Sequence, residues 1–325
     1  MPTPDQFIAA AWEAAPAFGL TPETVEILSV SENVVCKVTQ PGGARVVMRL
    51  HRPGYNTLDE LNNEVHWVRA LGAAGIPVPT AVPTLDGAFY TAVATGGEDR
   101  HVGVVEWVEG QPVRSSPRAA VELAVVDDYR RIGALAAQIR AQSWAWTPPP
   151  GFTRRRWDAD GLAGEQPLWG RFWEVDALTA TQQTVVADAR HELLDELRSL
   201  STEDDRFGLI HADLHLGNLM ADGEHLTIID FDDAGHGWFA YEVAVALHEV
   251  SDEPWFDDCR TAMIDGYRAI HPLDAVDEAL IETFLVVRSF MVLAWLDARP
   301  EVSNHEQLDD LAADAVAAAE RYLSR

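Results

Sequence analysis

The hydrophobic period of this chain changes near residue 108, and that change limits the folds open to it. Before it, short β-branched runs dominate. Residues 25–30 and 34–39 are parted by Ser31-Glu32-Asn33, and 45–50 is reached through the turn signal Pro41-Gly42-Gly43. These runs predict an antiparallel meander of three strands. A helical period follows at 57–71, with Leu58, Leu61, Val65 and Val68 on one face, and Pro77 and Pro79 break it. Strand patterns return at 80–83 and 89–94, bracketing Asp86-Gly87 as a hairpin signal, and again at 102–108. A further helix is predicted over 4–18, ended by Gly19. Beyond 108 the pattern is mainly helical: 117–143, with Ile132, Leu135, Ala136 and Ile139 inward, then 182–200, then 241 onward. Only 207–211 and 226–230 read as short apolar runs there. The expectation is an α+β fold of two lobes joined near 107–113, with a cleft between them. An antiparallel-sheet lobe would occupy 1–108 and a helical lobe 109–325.

Composition excludes several function classes. Apolar residues make up 47% of the 325, enough for a packed core. The net charge of −28 repels nucleic acid and anionic membrane surfaces and favours a cationic partner, although plain solubility also accounts for it. Two cysteines, Cys36 and Cys259, cannot staple a chain of this size. Residues 1–15 carry Asp5 and Glu13 and no basic region, unlike a signal peptide. The longest apolar stretch, 284–296, is interrupted by Arg288 and reads as a core helix. These features predict a soluble, cytoplasmic protein that binds neither nucleic acid nor membrane.

Chemistry concentrates in His211-Ala-Asp-Leu-His-Leu-Gly-Asn218 and in Ile228-Ile-Asp230-Phe-Asp-Asp233. A hairpin turning at Asp222-Gly223 separates them and is expected to bring Asp230 back beside Asn218, so that Asp213, Asn218 and Asp230 converge. Phosphoryl transfer needs such a set. Magnesium takes oxygen ligands and binds through one or two carboxylates plus substrate phosphates, while another carboxylate orients the attacking hydroxyl. In protein kinases the base Asp and the metal Asn are five residues apart, with a metal Asp beyond a hairpin. Asp213, Asn218 and Asp230 repeat that arrangement. The spacing His211-x-Asp213-x-His215, with Asp230, Asp232, Asp233 and His236 nearby, also suits a two-metal phosphoesterase.

The segment resembles the aminoglycoside phosphotransferase and choline kinase family, whose motif reads His-Gly-Asp-x4-Asn; Ala212 stands where glycine is usual. The Phe-Asp-Asp-Ala run after Asp230, the stretch Leu50-His-Arg-Pro53 and residues 288–295 are similar to type II homoserine kinases and bacterial stress-response kinases. The resemblance spans nearly the whole chain. It implies a protein-kinase-like fold and an ATP- and Mg2+-dependent phosphotransferase acting on an alcohol. Asp213 would be the base, and Asn218 and Asp230 the metal ligands. Ser31 and Asn33 would lie on the loop over the phosphates. Arg49 would replace the third-strand lysine, since Lys37, the only lysine, lies on the second strand. A guanidinium can grip two phosphate oxygens at once. Glu64 would pair with Arg49, and backbone groups of Glu106 and Val108 would meet adenine. His215, Asp232 and Asp233 are expected against the acceptor or behind the metal ligands, with Trp157, Trp169 and Trp173 near the acceptor. The acceptor would be a small molecule, an amino sugar, homoserine or another amino alcohol, with a protein serine as the remaining candidate. A non-catalytic nucleotide-binding module is the alternative that the arginine at position 49 raises.

Overall fold

The computed structural model describes residues 2–31, 33–115, 122–203, 205–300 and 305–325. In chain order the elements are α1 (Pro4–Ala14), β1 (Thr24–Val30), β2 (Val34–Thr39), β3 (Arg45–Leu50), α2 (Leu58–Ala73), β4 (Ala81–Val82), β5 (Tyr90–Thr95), β6 (Glu98–Glu106) and β7 (Gln111–Pro112). Then come α3 (Glu122–Ala145), β8 (Arg156–Trp157), α4 (Ala159–Ala163), α5 (Ala180–Ser199), β9 (Phe207–Ile210), β10 (Leu219–Asp222), β11 (His225–Ile228), β12 (Gly235–Trp238), α6 (Phe239–His248), α7 (Phe256–Arg268), α8 (Ala275–Asp297) and α9 (His305–Leu323). The expected start of α3, at 117–121, lies outside the described residues. The chain divides into two compact units. One comprises Met1–Gln111, Thr147–Arg154 and Met220–Asp232; the other comprises Pro112–Trp146, Arg155–Leu219 and Asp233–Arg325.

The first unit is built on the sheet β1-β2-β3-β6-β4, with β5 also on β6. The meander of β1, β2 and β3 forms as expected. Cys36, Val38, Met48, Leu50, Val102 and Val104 are buried on one face, where α1 covers them with Phe7, Ala10, Ala11 and Ala14. Each fully buried aliphatic side chain contributes about 1.5–3 kcal/mol, so the register that buries this face is strongly favoured. The opposite face carries Lys37 and Arg49, paired in register with Val47 and Val35. The expected hairpin around Asp86-Gly87 does not form. Its arms, β4 and β5, each pair with β6, Ala81 opposite Val105 and Tyr90 opposite Gly103. The polar turn signal fixes the local bend at Thr84–Ala88, while the long β6 supplies the partner both short arms need. Residues 107–108, read as strand, lie beyond its end.

Helix starts follow local chemistry. Thr3, Thr57 and Thr179 each close a capping box with the Gln or Glu three residues on, at Gln6, Glu60 and Gln182. Each cap is worth about 1 kcal/mol.

In the second unit β12 pairs parallel with β8 and antiparallel with β9. Neither β8 nor β12 was legible, because two- and four-residue strands carry no usable period. Helix α6 is buried almost throughout, as is most of α8. By length and composition α8 could cross a membrane, but two-thirds of its apolar window is buried inside the fold (67%), and its Arg288 is buried as well. It is a core helix.

Candidate active site

In the second unit, strand β9 delivers the chain into His211-Ala212-Asp213. The carboxylate of Glu242, on α6, receives the amides of His211 (2.7 Å) and Ala212 (2.8 Å). Ala212 is held at φ 63, the left-handed region that an L side chain enters at a cost. A glycine at this position is therefore a backbone requirement, which this chain meets with the smallest side chain that has a Cβ. The His211 ring is buried and its Nδ1 accepts from the Asp213 amide at 3.2 Å, so it braces the loop.

Asp213 Oδ1 accepts from Arg288 Nη2 at 2.6 Å, and Oδ2 accepts from Asn218 Nδ2 at 2.8 Å. His215 Nε2 lies 3.2 Å from the same Oδ2, while its Nδ1 accepts from the Gly217 amide at 3.0 Å. Burial alone would raise the Asp213 pKa. His215 and Arg288 outweigh it and hold the carboxyl well below the usual carboxylate range. Burial disfavours the His215 imidazolium, yet Asp213 and Glu249 raise its pKa nonetheless. Glu249 Oε2 also accepts from the Leu216 amide at 2.7 Å, fixing the short helical turn that presents Asn218. Because Asn218 turns its amide nitrogen to Asp213, its Oδ1 is the oxygen left for another ligand.

Asp233 is not an open acidic wall. Arg155 Nη1 sits 2.7 Å from its carboxylate, and its backbone oxygen accepts from the Trp157 indole at 2.8 Å. Trp157 and Trp169 are buried against each other edge to face, and the Trp173 ring lies 4.0 Å under the Arg190 guanidinium. Packing accounts for all three tryptophans.

In the first unit, Arg49 on β3 places Nη2 2.5 Å from Asp230 Oδ1 and 3.2 Å from Asp232 Oδ2. Asp230, like Ala212, is left-handed, at φ 65; strained backbone of this kind gathers at functional sites. The expected Arg49–Glu64 pair is replaced. The close cation of Glu64 is Arg154 Nη1, at 3.6 Å, from the segment 147–154 that returns to this unit. Burial, then the Asp232 charge, pushes the Glu64 carboxyl up to about 7. Asn33 is buried, with its side chain donating to Asp232 and accepting from the Arg52 amide at 3.1 Å. It ties the β1–β2 loop down, and the exposed Ser31 closes that loop through its amide to Asn33 O at 3.0 Å. Glu106 is exposed and its amide is spent on Thr80 O at 2.9 Å. Among the described residues, Val108 makes no backbone–backbone hydrogen bond. Lys37 pairs with the exposed Glu26 at 3.1 Å.

Two arginines were missed as site residues. Arg288 had a signal: a lone charge inside an apolar helix is rarely buried without a partner. Arg154, in a stretch without period, had none. Of the histidines in the phosphoesterase reading, His211 and His215 each accept an amide of their own loop at Nδ1. Among the described residues no group of three or more His, Cys, Asp or Glu is arranged to hold a metal.

The two-lobe plan of sheet and helices, with an Asp-x4-Asn loop and a downstream Asp, defines a phosphotransferase of kinase-like fold. The chain belongs to the phosphotransferase enzyme family, which it matches over residues 23–280. It is 29% identical over 297 residues to amicoumacin kinase of Bacillus subtilis (strain 168), covering 87% of this chain and 83% of that one. A homoserine kinase of Rhizobium etli (strain CIAT 652) is 28% identical over 218 residues, 65% of this chain and 60% of that one. Among solved structures, a microcompartment-associated aminopropanol kinase superposes with a TM-score of 0.87 at 31% identity, covering 98% of both chains. The enzyme is thus a kinase acting on the hydroxyl of a small molecule, in line with the sequence reading and against a non-catalytic module.

Proposed function

We propose that this enzyme transfers the γ-phosphoryl group of ATP, with Mg2+, to the hydroxyl of a small amino alcohol. The observation that carries the reading is the Asp213 carboxylate, kept ionised by Arg288 and His215 and joined to Asn218 five residues on. A carboxylate so held accepts a hydrogen bond from an alcohol and takes its proton as the phosphorus–oxygen bond forms.

The donor set suits magnesium, which prefers oxygen. Asn218 offers Oδ1, and Asp230 is a carboxylate with 44% of its side chain exposed. As the sequence motif implies, each would supply a ligand to the ion, which supplies charge neutralisation on the phosphates. Arg49 binds α- and β-phosphate oxygens, and the Glu106–Val108 backbone meets adenine. The amine on the acceptor is supported by the relatives. Aminopropanol and homoserine each carry an amino group beside a hydroxyl, and a chain of net charge −28 favours an ammonium.

The test is ADP release from Mg-ATP across a panel of amino alcohols, homoserine, aminoglycosides and the same alcohols lacking the amine. Turnover on a small amino alcohol well above its deaminated counterpart is expected. Turnover that ignores the amine, or that needs a protein serine, refutes the acceptor class.

A further inference from the structure

We propose that Asp232, and not the helix glutamate Glu64, anchors the Arg49 guanidinium for the nucleotide phosphates. The inference rests on the reading of Arg49 as the phosphate contact and adds a positioning residue to it.

Arg49 touches two carboxylates with different prospects. Asp230 is 44% exposed and is the one assigned to the metal; Asp232 is 5% exposed. A carboxylate that turns to a metal ion gives up its hold on Arg49, whereas a buried one remains. Asp232 is also fastened from several sides. Asn33 Nδ2 donates to its Oδ2, and its backbone oxygen accepts from Arg154 Nη2 at 2.8 Å and from Asn56 Nδ2 at 3.3 Å. His51 Nδ1 approaches Oδ1 at 3.6 Å, farther than the 3.2 Å between Arg49 Nη2 and Oδ2.

Glu64 acts on Arg49 only through space, and its ion pair is with Arg154. Arg154 lies 3.6 Å from it, and the same guanidinium binds Glu60 O at 3.0 Å and Phe231 O at 2.9 Å. Arg154 therefore lies beside the helix glutamate while gripping the backbone that carries Asp232. The ion pair expected between strand and helix is displaced by one member: Glu64 to Arg154, and Arg49 to Asp232. Through Asn33, the carboxylate that orients Arg49 also fixes the β1–β2 loop.

The experiment is nucleotide binding by calorimetry, with and without Mg2+, together with ATP kinetics, on Arg49→Ala, Asp232→Asn, Glu64→Gln and the two doubles with Arg49→Ala. Loss of a charge-assisted contact is expected to weaken ADP about tenfold or more in Arg49→Ala. Asp232→Asn should weaken metal-free and Mg-bound ADP by the same factor, and should add little to Arg49→Ala. Glu64→Gln should weaken ADP less than Asp232→Asn, with its full effect added in the double. If Arg49→Ala leaves binding unchanged, the phosphate reading itself fails. If Arg49→Ala weakens binding and Glu64→Gln, rather than Asp232→Asn, is non-additive with it, the anchor is Glu64 and the proposal falls. A defect of Asp232→Asn seen only with Mg2+ would make it a metal contact and also overturn the proposal. Should Asp232→Asn not fold, Glu64→Gln decides alone: a loss matching Arg49→Ala refutes the assignment.

Discussion

Arg288 Nη2 donates to Asp213 Oδ1 across 2.6 Å, joining the core helix α8 to the loop after β9. Nη1 of the same guanidinium reaches Ala212 O at 3.4 Å, and its plane lies over the Trp169 ring at 4.8 Å. Three contacts fix the guanidinium, one of them to the carboxylate. Removing one member of a buried pair costs about 3–5 kcal/mol, because the other charge is left unpaired. Arg288→Met should therefore lower the thermal midpoint and reduce kcat more than it changes the ATP KM. Arg288→Lys should recover stability better than kcat, since an ammonium cannot reproduce the fork. Thermal unfolding and steady-state kinetics on both variants check this.

Asp213→Asn should keep nucleotide binding and lose turnover by about 10²–10⁴-fold, the range carried by a positioned general base. Calorimetric ADP binding alongside ADP release from ATP measures both. Near-native turnover with the cognate acceptor would remove Asp213 from the base role.

Asp230→Ala should weaken Mg-ATP far more than metal-free ATP, because the carboxylate serves the ion. Titrations with Mg2+ and with a chelator make the comparison. Equal losses in the two conditions would argue against a metal role.

Ala212 sits at φ 63, where an L residue costs about 1–2 kcal/mol and glycine costs nothing sterically. Its Cβ is buried, so Ala212→Gly also forfeits some packing and gains backbone freedom in the unfolded chain. Relief of the strain should leave the variant at least as stable as the parent, with activity retained. Ala212→Val should be strongly destabilised. Denaturant unfolding of both variants provides the test.

His248 is half-buried at the end of α6, with Nε2 3.2 Å from Ser289 Oγ, and desolvation followed by the Arg288 charge lowers its pKa to about 3. The unfolded chain takes up this proton near the ordinary histidine value of about 6.5. The neutral ring thus contributes stability that is complete above that value and is lost as pH falls toward about 3. His248→Gln, which cannot titrate, should show a shallower fall of thermal midpoint between neutral and acidic pH. Parallel curves for the two proteins would contradict the assignment.

The sequence by itself determined the three-strand meander of the first unit, the presence of its helices and the chemistry-bearing loop, because each is written in local terms. Alternation of Val34, Cys36 and Val38 fixes a strand face. The spacing of Leu58, Leu61, Val65 and Val68 fixes a helix face. Partner choice was not local. Arg49 and Glu64 looked like a pair, because nothing in their neighbourhood revealed Arg154, ninety residues beyond Glu64 and in a stretch without period. The same holds for Arg288, which meets Asp213 only after α8 packs into the core, and for Asn33, whose partner Asp232 lies 199 residues away. Propensity and capping act over a few residues and can be read along the chain. Ion pairs between buried groups depend on which segments the fold brings within a few ångströms, and only the tertiary structure decides that.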